Sequence, residues 1–335
     1  MVLADVNTIL KAENACDIFK NKNGIDGIKA QYKAYARKYH PDICHRNDIM
    51  TKVNVLYEKA LSLVERGIWD EKNVYYIVDT VGRKFKLKYQ AMYPFEFGMC
   101  YVGDNTLVYI FNNKYQKYYH NALDMIERIK YQDKKMKDYF GSVMPNIVRY
   151  DKTSDGNYYI ALSKKENVYP MSYVLKYFGG TLSPRHAAWV TTRLCNIICF
   201  LNTCGIVHNG ISIENLFVCP DTHTIYLYGG WWYSTLDGKK MIGLSEHVYK
   251  LLPAKTKKDK KSTFVTDIEC VKNVCKTIID KSSVNGFRSI KSWYNSVSKN
   301  PFENLDSWDS ALTKQFGQRR FIKMEVNKNV LYSKH

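Results

Sequence analysis

The chain runs to 335 residues with 45% apolar side chains, enough for ordinary packed cores, and predicts a folded protein of two or three units. Its formal net charge is +18; residues 1–72 hold twelve basic and ten acidic side chains, so +16 belongs to residues 73–335, a field that favours an anionic partner. Nine cysteines without a C-x-x-C pair argue against a disulfide framework or zinc ribbon, and no apolar run approaches the roughly 20 residues that span a bilayer, so neither a metal site nor membrane insertion is expected.

The start, Met1-Val2-Leu3-Ala4-Asp5-Val6, lacks the basic and apolar regions of a signal peptide, so the expected address is the cytoplasm. A first, irregular helix is placed at Asn14–Phe19. After it, Ile25, Ile28, Tyr32, Tyr35 and Tyr39 recur at spacings of three and four, the stripe of an amphipathic helix. Lys29, Lys33 and Arg37 project from another side of that helix. It must stop near His40, because Pro41 has no N–H and restricts the residue before it. A second helix is predicted from Asn47, with Ile49, Val53, Leu56, Ala60 and Val64 on one face, so two antiparallel helices flank a short exposed loop. Residues 66–73 break the period and read as a boundary.

The stretch Tyr35-Ala36-Arg37-Lys38-Tyr39-His40-Pro41-Asp42 resembles the J-domain of DnaJ-type cochaperones, in which a basic helix leads into a His-Pro-Asp loop and a second helix follows. The resemblance covers about residues 7–70. It implies that His40, Pro41 and Asp42 contact a DnaK-type chaperone and stimulate its ATP hydrolysis, while Lys29, Lys33, Arg37 and Lys38 meet an acidic surface on it.

From Val74 to about Asn112, β-branched and aromatic residues in short alternating runs predict a small sheet. A helix over 116–138, a strand over Tyr158–Leu162, a helix from Ser183-Pro184 through Leu201, strands at Leu216–Val218 and Ile225–Leu227, and largely helical sequence from Thr266 complete the pattern. The run Lys255-Thr256-Lys257-Lys258-Asp259-Lys260-Lys261 is the densest basic segment. Lys255, Lys257, Lys258, Lys260 and Lys261 are candidate anion-binding residues, or else a solvated face or disordered loop.

Residues Gly205-Ile206-Val207-His208-Asn209-Gly210-Ile211-Ser212-Ile213-Glu214-Asn215-Leu216 resemble the protein-kinase catalytic loop, H-R-D-x-x-x-x-N. His208 and Asn215 fall at matching positions, but Gly210 stands where the catalytic Asp belongs. Tyr228-Gly229-Gly230 falls at D-F-G, putting Tyr228 at the metal-binding Asp. Val108-Tyr109-Ile110-Phe111 aligns with V-A-I-K, putting Phe111 at the phosphate-contacting Lys. The Gly-rich loop shrinks to Phe95-Glu96-Phe97-Gly98, too bulky to close over phosphates. The resemblance also implies that Asp267 holds the catalytic-loop backbone and that Glu127 is the ion-pair Glu, left without its Lys. It covers about residues 74–290.

The expected fold class is α+β: a J-domain-like helical hairpin (1–72), then a two-lobed kinase-like domain with an N-lobe (73–165) and a C-lobe with a basic tail (166–335). The expected function is a cochaperone or adaptor whose catalytically inactive pseudokinase module binds a client. The ATP is hydrolysed by the recruited chaperone, and no cofactor is expected for this chain. Two alternatives stand beside it. One is a nucleic-acid adaptor, with the tyrosines of Lys114-Tyr115-Gln116-Lys117-Tyr118-Tyr119 stacking on bases or packing a helix on a sheet. The other is an atypical active kinase with a displaced group such as Lys88, Asp237 or Glu246. Host-chaperone capture joined to an unusual module suits a viral or phage origin, for which the address is the host cytoplasm.

Overall fold

A computed structural model describes residues 3–21, 23–65, 69, 73–279, 287–318 and 322–333. The chain mixes helices with antiparallel sheet and divides into two units: Met1–Tyr76 with Phe85–Leu87, and Ile77–Lys84 with Lys88–His335. Most of the expected boundary at 66–73 lies outside the described residues. The units divide at Tyr76, and residues 166–335 do not separate from the sheet before them.

In the first unit, α1 (Val6–Lys11) starts at Asp5, whose carboxylate accepts from Thr8 N at 2.9 Å. The first helix was expected at Asn14–Phe19. There the chain makes only a 3-10 turn, Ala15–Asp17, because the Asp17 carboxylate folds back onto the N–H groups of Glu13 and Asn14 at 3.0 and 2.9 Å. Next come α2 (Gly24–Tyr39), α3 (Pro41–Cys44) and α4 (Asn47–Glu65). The expected loop after His40 is a helical turn, since proline's fixed φ suits the first position of a helix. Ile28, Tyr35 and Tyr39 of α2 share a buried core with Ile49, Val53, Leu56 and Ala60 of α4. Tyr35 Oη donates to Ile18 O at 2.9 Å and accepts from Ala4 N at 3.0 Å, and Tyr39 Oη donates to Ala4 O at 3.0 Å. These phenols fasten the irregular N-terminal stretch to α2.

Strands β1 (Val74–Val78) and β2 (Lys84–Lys88) pair with each other. The second unit then builds β3 (Ala91–Phe95), β4 (Gly98–Val102), β5 (Thr106–Phe111), α5 (Gln116–Glu127), α6 (Lys134–Phe140), β6 (Ile147–Lys152) and β7 (Tyr158–Ser163). The five strands form one antiparallel sheet in the order β3-β4-β5-β7-β6. The helix expected over 116–138 is two helices: α5 stops at Arg128, and α6 restarts at Asp133, whose carboxylate caps Met136 N at 2.6 Å.

Then follow β8 (Tyr169–Pro170), α7 (Met171–Tyr177), α8 (Pro184–Thr203), β9 (Ile206–Val207), β10 (Leu216–Cys219), β11 (Thr224–Leu227), β12 (Thr235–Leu236), α9 (Glu246–Leu251), α10 (Ala254–Asp259), α11 (Phe264–Ile278), α12 (Arg288–Tyr294), α13 (Pro301–Phe316) and α14 (Lys328–Ser333). Ser183 caps α8 and Pro184 opens it, and most of its side chains from His186 to Leu201 are buried. One apolar core joins the sheet, α5 and the helices around α8 and α11. The 255–261 run is not a disordered loop: α10 occupies its first part and Lys261 bridges to Lys240. No described helix is long and apolar enough to cross a membrane.

Candidate functional site

At the end of α2, His40 is both the last cap of α2 and the first cap of α3. Its Nδ1 lies 3.3 Å from both the Asp42 N–H and Asp42 Oδ2, while its side chain stays 52% and that of Asp42 86% exposed. His40 and Asp42 are thus exposed and Pro41 half-buried, on a backbone held by a proline-started turn. Lys29, Lys33 and Arg37 lie one helical turn apart on α2, with Lys38 beside them, and all four are exposed. The sequence therefore placed these seven residues on one helix and the turn that ends it.

In the second unit, Asp267 at the start of α11 is fully buried and accepts from His208 N at 2.7 Å and Asn209 N at 2.9 Å. Burial pushes its carboxyl up to about 7, against the pull of those two N–H groups. Burial also holds the His208 imidazole down to about 3, so the ring is neutral, and its Nδ1 accepts from Gly210 N at 3.2 Å. Asn209 adopts a left-handed φ of 58° and sends its amide to Tyr233 O at 3.1 Å and Ser262 Oγ at 2.8 Å. This asparagine ties the loop to two segments that follow it in the chain.

Where the kinase resemblance puts catalytic groups, backbone meets backbone. A Cβ on Gly210 would lie 2.8 Å from Gly230 O, and one on Gly229 would lie 2.6 Å from Asn215 Oδ1. Gly230 sits at φ 85°, and a Cβ there would meet Gly210 O at 2.7 Å. Asn215 Nδ2 donates to Gly210 O at 2.8 Å, and Gly229 N to Asn215 O at 3.1 Å. Three glycines thus let two chain segments close on each other. The Asn215 amide is engaged in that closure.

The rest of the expected site is filled with rings. Trp232, 2% exposed, packs on Phe95, Tyr109 and Phe111 with centroids 4.8, 5.2 and 5.6 Å away. Phe111 is fully buried between Phe95, Tyr119 and Trp232. Gly98 serves the sheet rather than a phosphate: an added Cβ would lie 1.8 Å from Ile110 O of the paired strand β5. Tyr228 turns its ring onto Phe217 and Tyr226, and burial raises its phenol well above the usual range.

Glu127 is a correction. It ends α5 exposed to solvent, and the α5 residue that meets Phe111 is Tyr119. The base-stacking reading of the 114–119 tyrosines is corrected too, since Tyr115 and Tyr118 pack on Phe97 and Tyr119 is buried. Of the lysine run, Lys255, Lys258, Lys260 and Lys261 are exposed, and Lys257 lies over the Tyr249 ring, 5.3 Å from its centroid.

The chain matches no protein-family profile and no curated protein sequence. Among solved structures it is similar to that of vaccinia related kinase 3, at 16% identity over 79% of this chain and 85% of that one, with a TM-score of 0.45.

Proposed function

We propose that the chain is an adaptor whose first unit works as a J-domain, recruiting a DnaK-type chaperone and stimulating its ATPase. Its second unit is a kinase-like module without phosphoryl-transfer activity that holds a client protein. The observation that carries the first half is the His40-Pro41-Asp42 turn, with His40 and Asp42 exposed, at the end of a helix that carries Lys29, Lys33 and Arg37 on one face and Lys38 next to Arg37. Exposed cations on one face steer encounter with an acidic partner and fix its register more than they add affinity.

The second half is supported by the order of elements, a five-stranded sheet interrupted by α5 and then a helical half, and by Asp267 gripping the loop at His208 and Asn209. Phosphoryl transfer depends on positioned charge: an aspartate to orient the attacking hydroxyl, a lysine on the phosphates and a metal between them. Here Gly210, Phe111 and Tyr228 stand in those places, and no side chain fits at Gly210. Titration with MgATP followed by calorimetry tests this half, with no heat of binding expected. Saturable binding together with phosphate transfer to a protein substrate would overturn it.

A second reading has one specific observation behind it. The bridge between Lys240 and Lys261 brings Lys239 and Lys240 against the 255–261 run, gathering six exposed lysines from two segments. Lysines act on phosphates as point charges, so this patch suits nucleic acid without sequence preference. Binding of single-stranded RNA that weakens steeply between 50 and 200 mM salt, on the order of the thousandfold loss such patches show, supports it, and no binding at 50 mM removes it.

A further inference from the structure

A cavity of about 720 Å³ opens between β3, the loop after Gly210 and the start of α9. Tyr93, Phe95, Tyr109 and Tyr173 give it aromatic walls. The phenols of Tyr93 and Tyr109 gather around the buried Cys100 thiol, in reach of a hydrogen bond with it and with each other.

The charges on this cavity are opposite to those that a nucleotide requires. Glu96, Glu214 and Glu246 all line it. Glu246 is engaged by Lys250 at 2.6 Å, and Lys250 with His247 provides the basic side of the α9 rim. Glu96 and Glu214 form no ion pair among the described residues. Their mutual repulsion adds to the partial burial that holds the Glu96 carboxyl above its ordinary range. In a chain of net charge +18, these two carboxylates beside four aromatic rings make a local acidic recess.

We propose that the recess receives one organic cation, the guanidinium or ammonium group of an arginine or lysine side chain presented by a protein partner. The faces of aromatic rings attract cations through their quadrupoles, and a carboxylate pair takes the remaining N–H groups. Arginine fits better than lysine, because its planar fork can stack on a ring and hydrogen-bond at its edge together. The proposal rests on the reading of this module as one that has lost its nucleotide site, since phosphates and carboxylates repel in the same space.

The test uses the full chain and two capped tripeptides, Gly-Arg-Gly and its citrulline counterpart, which keeps the shape and loses the charge. Calorimetric titration is expected to show the arginine peptide binding at least tenfold more tightly. The double variant Glu96→Gln/Glu214→Gln, whose fold is checked by thermal unfolding, is expected to lose that preference. Equal binding of the two peptides, no binding of either, or an arginine preference that survives in the double variant would each overturn the proposal. A MgATP titration separates the two readings. Binding of MgATP to the wild type contradicts the lost nucleotide site, whereas no MgATP binding with no arginine preference sinks the cation proposal alone.

Discussion

Gly210 carries more of the account than any residue with a functional side chain. Restoring the acid by Gly210→Asp is expected to give no phosphoryl transfer, because the new Cβ would be driven against Gly230 O. Overpacking plus a buried charge is expected to lower stability by about 3 kcal/mol, read from the denaturant midpoint. Lys164 is a second residue whose behaviour follows from its setting. It is 6% exposed, and its ammonium donates to the carbonyls of Asp104 at 2.8 Å, Lys165 at 3.0 Å and Val168 at 3.0 Å. Burial lowers it from 10.5 to about 8. Between those two values the unfolded chain binds a proton that the folded chain has released, so this residue makes stability rise with pH across that window. The difference in unfolding free energy between wild type and Lys164→Met, followed from pH 8 to 10.5, is expected to show that slope; a flat difference would contradict it.

Among elements, the turn around Trp232 and the N-terminal helices make separate predictions. Trp232→Ala removes the ring that fills the space between Phe95, Tyr109 and Phe111, and is expected to cost about 4 kcal/mol, as large-to-small changes of buried aromatics do. Tyr35→Phe in α2 removes both hydrogen bonds of the phenol, to Ala4 and Ile18, and is expected to cost about 1–3 kcal/mol while leaving helix content unchanged in circular dichroism. The elements legible in the sequence were those with a strong local signal. The three-four stripe of α2, the Pro41 stop and the Ser183-Pro184 start of α8 each encode their own geometry. Strand β6 is not legible in the sequence because it is an edge strand of alternating half-buried and exposed residues, with Arg149 and Asp151 on its half-buried side. The break between α5 and α6 was missed because it depends on the Asp133 cap and not on a glycine or proline.

For the whole molecule, motif residues were legible and their spatial consequences were not. The substitutions at Phe111, Gly210 and Tyr228 could be read one by one, but the contact between Gly210 and Gly230 joins positions twenty residues apart and has no local signature. Glu127 was chosen for its charge, whereas the side of α5 that faces the sheet is set by Tyr119, Ala122 and Met125. The cationic face of α2 predicts behaviour that a packing role would not produce. Reversing Lys33 and Arg37 to Glu is expected to slow association with the chaperone at low salt, with the difference shrinking as salt screens the field.

Chaperone recruitment is tested most directly by single-turnover ATP hydrolysis by a DnaK-type chaperone in the presence of the intact protein or its His40→Gln variant. The His40 side chain is 52% exposed, so the variant is expected to fold as the wild type does. The intact protein is expected to accelerate hydrolysis and the variant is not. Absence of acceleration by the intact protein, or equal acceleration by both, would contradict it.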